Sequence, residues 1–102
     1  MNILMIDTSG PACGVAIMAD GRLVYEAELT HKQTHSQRVM PMVDTALQMS
    51  DMTAADMDVF GAVVGPGSFT GVRIGVSTVK ALAHAANKPC VAVDALEALA
   101  AN

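Results

Sequence analysis

Positive charge is scarce in this chain. Lys and Arg number six against ten Asp and Glu, for a net charge of −4, and the six are scattered. Contact along a nucleic-acid backbone needs clustered Lys and Arg to neutralise phosphates, so a broad nucleic-acid surface is argued against. Charge of either sign is sparse too, at 16% of residues against 52% hydrophobic. That balance excludes a disordered chain and fits a well-buried core. No apolar run approaches the roughly 20 residues that a membrane-spanning helix needs. The N-terminus, MNILMIDTSG, has no basic segment, and Asp7 interrupts its apolar stretch. It reads as a strand and not as a secretion signal. Cysteine is limited to Cys13 and Cys90, both in apolar sequence with no partner thiol or base nearby. Both are expected to be reduced, buried thiols of a cytoplasmic protein.

What is present is regular patterning. The 102 residues suit one compact domain. NILMID, CGVAIM and LVYEAEL read as three strands, the last two joined at Asp20-Gly21, a strong hairpin signal. Ser36 is placed as the cap of a helix over QRVMPMVDTALQMS, with Pro41 at the end of its first turn costing at most one backbone bond. TAADMD suggests a short capped turn, and VFGAVV a buried strand. A second helix is expected from about Gly71 to Ala86, stopped by Asn87 and Pro89. CVAV makes a fifth strand, and DALEALAAN opens a third helix. The order βββαβαβα predicts an α/β domain whose mixed sheet carries packed helices.

Between the fourth strand and the second helix runs GPGSFTGVRIG, Gly65 to Gly75, with four glycines in eleven residues. Glycine-rich turns at such places often hold phosphate, but two patterns fail here. A Walker A loop needs two glycines five apart, followed by Lys and Ser or Thr. Gly65 instead pairs with Thr70 and Gly67 with Val72, and no Lys follows. A dinucleotide fingerprint needs a third glycine where Thr70 stands, and an acidic residue about 20 positions on. Backbone N–H groups at a helix start attract anions without a fixed motif. The simpler role is turn-making and close helix–strand packing. Pro66, Phe69 and the glycines are therefore expected to shape a rigid approach to the second helix, in a loop that holds Gly65, Gly67, Ser68, Phe69 and Thr70. Arg73 sits near that helix's positive end, where a cation is unfavourable; an outside carboxylate or a loop carbonyl is expected to answer it.

GPGSFTGVRIG, with IDTSGPACGVAI and HSQRVMPMVDTAL before it, is similar to the bacterial TsaB (YeaZ) family. The similarity covers the whole chain, and the Gly65–Gly75 stretch is specific to that family, whereas the other two are shared with its paralogue TsaD. The resemblance implies the actin-like ATPase (ASKHA, ribonuclease H-like) fold. It implies that residues 1–102 form the family's N-terminal domain, the second domain being absent. It implies a non-catalytic role in making threonylcarbamoyladenosine at position 37 of tRNA, as assembly partner of the catalytic TsaD, with a TsaE-type ATPase associated and tRNA contacted only indirectly. TsaD carries a metal-binding H-x-x-x-H after the strand matching CVAV. The matching positions here are Ala95 and Leu99, which have no lone pair to give, so no metal is expected at them and no cofactor is implied. His31 and His35 have the same i, i+4 spacing but lie in a polar stretch without a third ligand, and are read as solvated. Asp7 matches the first-strand aspartate of actin-like ATPases; with Thr8 and Ser9 it is a candidate for weak nucleotide contact, or else satisfies the turn backbone. A phosphotransferase of the same fold and a metallopeptidase are the competing classes.

On a helical wheel both long helices are apolar over about half their circumference or more, wider than the ~100° stripe of a helix with one side to a core. Val39, Met42, Val43, Ala46 and Met49 on the first, with Val72, Val76 and Val79 on the second, are expected to form a partner-binding face. A homodimer in isolation, displaced by TsaD, is the corresponding expectation.

Overall fold

The computed structural model describes residues 1–8, 12–30, 35–64 and 69–94. Strands β1 (Asn2–Asp7), β2 (Ala12–Ala19) and β3 (Arg22–Thr30) precede helix α1 (His35–Met49). A single 3₁₀ turn (Ala54–Asp56), strand β4 (Val59–Val64), helix α2 (Phe69–Ala86) and strand β5 (Cys90–Asp94) follow. The strands form one sheet in the order β3-β2-β1-β4-β5. β1, β2 and β3 run antiparallel, whereas β4 and β5 join β1 in parallel. The mixed sheet expected from the element order is the one found.

Local chemistry explains the turns. Asp20 and Gly21 both have positive φ, +53° and +81°, as a two-residue turn matched to strand twist requires. Both helices end in a Schellman motif. Met52 N–H reaches Leu47 C=O at 2.9 Å around Asp51, whose φ is +56°. Lys88 N–H reaches Ala83 C=O, also at 2.9 Å, around Asn87 at +56°. Asn87 thus stops α2 as expected, with Pro89 two residues on.

Register then builds the core. Leu4 and Ile6 of β1 stand beside Ile17 and Val15 of β2 and beside Phe60 and Ala62 of β4. All six are buried in one cluster with Val39, Val43 and Ala46 of α1 and Val79 and Ala83 of α2. Side chains alternate across a sheet, so both helices cover the same face. Asn2 ties the start of β1 to β4: its N–H donates to Asp58 Oδ2 at 2.7 Å, and its Nδ2 donates to the Asp56 carbonyl at 2.9 Å.

Three expectations need correction. α1 begins at His35, so Ser36 lies inside its first turn and does not precede it, His35 belongs to the helix rather than to the connector, and Pro41 falls in the second turn; the helix runs through it. α2 begins at Phe69, two residues before the expected start, so Phe69 and Thr70 are helical and not loop residues. Glycine at position 71 made the earlier residues look like a longer turn, but tertiary packing overrides so small a propensity. Cys13 is buried, but Cys90 is exposed, because it opens β5 at the edge of the sheet, where an apolar strand sequence gains cover from one side only. The third helix, expected over 94–102, lies outside the described residues apart from Asp94, which ends β5.

Candidate functional site

Asp7 is the last residue of β1 and is exposed. It pairs with Gly14 of β2, which pairs in turn with Glu28 of β3. Paired residues share a face, so the row Asp7-Gly14-Glu28 lies on the side away from the helices. Gly14 leaves its middle place empty. A Cβ built there would meet only ordinary contacts, the nearest at 3.7 Å. The result is an open depression of about 180 Å³ bordered by Asp7, Glu26, Glu28, Met5 and Val63. Its three carboxylates make it negative, a poor seat for a bare phosphate. The same negative charge acts on the far side of the sheet: Cys13 is held above the usual thiol range, first by burial and then by Asp7.

Thr8 is fully buried. It packs against α2, where a Cβ on Gly75 would come within 2.6 Å of its Oγ1. Its side chain is enclosed between the end of β1 and α2. Ser9, Gly65, Gly67 and Ser68 lie outside the described residues, as do His31, Ala95 and Leu99. Phe69 and Thr70 open α2. Arg73 follows one turn later and is exposed; among the described residues no ion pair holds it.

The set expected at a partner face divides. Val39, Val43, Ala46 and Val79 are buried in the core. They are no surface at all, because the apolar arc that looked too wide for one sheet is partly used in packing the helices on β1, β2 and β4. Met42 and Val76 are half-buried against that core. Met49 is 71% exposed, as is Met40 at 41%. The backbone of Val72 lies in α2, its side chain outside the description. The sequence reading passed over a cleft between β3 and α1, lined by Tyr25, Leu29, Arg38 and Met42 among others; a lone Arg in a first turn was the signal for it.

Residues 27–102 match the family described as TsaD: tRNA N6-adenosine threonylcarbamoyltransferase. The tRNA threonylcarbamoyladenosine biosynthesis protein TsaB of Bacillus subtilis is 43% identical over 102 residues, the match covering 100% of this chain and 44% of that protein. YeaZ from Pseudomonas aeruginosa superposes with a TM-score of 0.84 at 36% identity, over 91% of this chain and 43% of that one. RuvC of T. thermophilus, solved with a Holliday junction substrate, superposes with a TM-score of 0.62 at 15% identity, over 94% of this chain and 66% of that one. The last likeness concerns the fold alone. The fold is the ribonuclease H-like, actin-like type that the resemblance implied. The chain spans less than half the length of the TsaB relative it matches. From the family match over residues 27–102 and the full-length identity to TsaB, the chain belongs to the TsaD-related family of tRNA threonylcarbamoyladenosine proteins, in its TsaB (YeaZ) branch.

Proposed function

We propose that the chain takes part in forming threonylcarbamoyladenosine at position 37 of tRNA, as a non-catalytic partner of a TsaD-type subunit. The identity to the Bacillus TsaB along the whole chain carries this reading. The net charge of −4 agrees with it: an acidic partner leaves the tRNA phosphates to a more basic subunit. The docking surface is the solvent side of α1 and α2, where Met40 and Met49 are exposed and Met42 and Val76 are partly so. Methionine suits such a surface because its unbranched, polarizable side chain adapts to a partner. The same surface serves a homodimer when the TsaD-type subunit is absent, and a TsaE-type ATPase joins the pair.

The test is gel filtration of this chain with a TsaD-type subunit, followed by tRNA modification with the activated threonylcarbamoyl donor supplied. The chain co-elutes, raises modification by the partner, and transfers nothing alone. Met40→Glu with Met49→Glu, both at exposed positions, abolishes co-elution without unfolding the chain. Turnover by the chain alone, or co-elution indifferent to both charges, overturns the reading.

A further inference from the structure

The two edges of the sheet are not alike. β3 and β5 are its outer strands. An outer strand presents a row of unpaired N–H and C=O groups, which proteins commonly blunt with a bulge or with charge. β3 has both: its register with β2 shifts between Ile17 and Met18, and it carries Glu26 and Glu28. β5 has neither. Its register with β4 runs unbroken from Cys90 to Asp94, and its first four residues, CVAV, are uncharged. Phe60 N–H donates to the Pro89 carbonyl at 3.1 Å. By alternation, the backbone groups of Val91 and Val93 turn towards β4, and those of Cys90 and Ala92 turn outward. Cys90, Val91 and Ala92 are all exposed.

Beside this edge lie a groove and a cluster of positive charge. The groove, about 150 Å³, is walled by Ala62, Val76, Val79, Lys80, Cys90 and Ala92. It is apolar apart from Lys80 and has room for one aliphatic side chain. Arg73 and Lys80 stand two turns apart on one stripe of α2, and both are exposed. Lys80 borders the groove, so that stripe is the flank of α2 nearest β5. Lys88 leads into β5 from the other end. Arg73, Lys80 and Lys88 are half of the chain's six Lys and Arg, and residues 59–93 contain none of its ten Asp and Glu. Among the described residues no ion pair engages any of the three. In a chain of net charge −4, positive charge therefore gathers at the unguarded edge.

We propose that the outer edge of β5 takes an extended acidic segment of a partner protein as an added antiparallel strand. In that arrangement the residues opposite Cys90 and Ala92 exchange both backbone bonds with them, and their side chains share the helix side of the sheet. One apolar side chain enters the groove. Acidic side chains two residues to either side stay on the face of Arg73 and Lys80. Backbone bonds supply affinity, and the groove and charges supply selection. A second copy of this chain fits poorly: β5 against β5 sets like cations together, and β3 is bulged. The inference goes beyond the family reading and does not rest on it. The edge shares only Val76 with the docking surface proposed above.

The test is a titration of the ¹⁵N-labelled chain with an N-acetylated, C-amidated heptapeptide of sequence TETVTET, whose two glutamates and valine share one face. The amides of residues 76–80 and 90–93 shift. Replacing both glutamates by glutamine weakens binding about three- to tenfold, as two exposed ion pairs imply. Lys80→Glu, at an exposed position, weakens the acidic peptide and spares the glutamine one. N-methylation of the central valine, whose N–H points at β5, abolishes binding, whereas N-methylation of the threonine beside it, whose N–H points to solvent, does not. Met40→Glu with Met49→Glu leaves peptide binding unchanged, which separates this edge from the docking surface. Equal affinity for the two peptides, indifference to the site of methylation, loss of binding in the Met40 and Met49 variant, or no shift at millimolar peptide overturns the proposal. So does a uridine hexanucleotide that moves the same amides when the peptide does not, a result that assigns the basic flank to nucleic acid. Shifts at residues 90–93 on concentrating the chain alone assign the edge to a second copy and overturn it too.

Discussion

Replacing Gly75 by Ala tests how closely α2 is seated on the end of β1. In an exposed helix interior Gly→Ala is stabilising by about 1 kcal/mol, because Gly loses more backbone freedom on folding. Here the new Cβ would lie 2.6 Å from Thr8 Oγ1, with its next neighbours, Ile6 Cγ2 and Thr8 Cβ, at an ordinary 3.8 Å. Thr8 is fully buried, and its short side chain cannot swing clear as a long one would. Either α2 shifts outward or Thr8 leaves its rotamer. Overpacking of this kind costs roughly 1–3 kcal/mol. Set against the propensity gain, the net loss is ~0–2 kcal/mol. For a domain of this size each kcal/mol lowers Tm by roughly 4–8 °C. The decisive comparison is the double-mutant cycle with Thr8→Ala. Removing Oγ1 removes the single close contact, so Gly75→Ala in the Thr8→Ala background becomes stabilising by up to ~1 kcal/mol. Urea unfolding followed by circular dichroism gives all four free energies. If Gly75→Ala raises stability in the wild-type background, or if the cycle shows no coupling, α2 does not sit on Thr8 as described.

Among the described residues Phe60 is the largest fully buried side chain, and Phe60→Ala is expected to cost about 3–5 kcal/mol, enough to leave much of the chain unfolded at 37 °C by near-UV circular dichroism. The two thiols differ in reach: a disulfide reagent titrates Cys90 at once, whereas Cys13, buried and held above the usual thiol range, reacts at the rate of opening, and equal rates would contradict the sheet order. The amine of Met1 donates to Asp20 Oδ1 at 2.6 Å, which raises the amine's pKa and lowers that of Asp20. The carboxylate's contribution is present above its ordinary 3.8 and is lost as pH falls through its lowered value, while the amine's is present below 8.0 and is lost as pH rises through its raised value. The Tm difference between wild type and Asp20→Asn is therefore greatest between pH ~4 and ~8, shrinks on both sides, and fades with salt because the pair is exposed; a difference that ignores pH refutes the linkage.

The strands were legible because short apolar runs were bounded by turn chemistry. VFGAVV coincides with β4, and Asp20-Gly21 marked its turn. The end of α2 was legible through Asn87, a residue that tolerates positive φ. The end of α1 was less so: Asp51 makes the same left-handed stop, but Asp there resembles any surface acid. What the sequence could not reveal was non-local. Nothing near Gly75 says that Thr8 will lie against it. A helical wheel ranks Val43 and Met49 alike as apolar, whereas the sheet buries one and leaves the other in solvent. The same holds for Cys90, since whether a strand stands at an edge depends on partners elsewhere in the chain. At the candidate sites, Asp7 was legible as a strand-end carboxylate, but the gap left by Gly14 emerged only from register.

The sheet order has a consequence for synthesis on the ribosome. β1 lies between β2 and β4, but β2 follows it at once, whereas β4 begins only at Val59. The three-stranded meander can pair as soon as β3 has emerged. The other side of β1 then waits for about 30 further residues, roughly 2–6 s at ordinary elongation rates. During that interval the hydrogen-bonding groups of Ile3 to Asp7 face an empty lane, beside side chains that are later the most enclosed in the protein. An unpaired apolar strand is a template for other nascent chains. The growing chain is thus most prone to mispairing before Val64 emerges, and a chaperone that shields short apolar segments acts in that window or not at all.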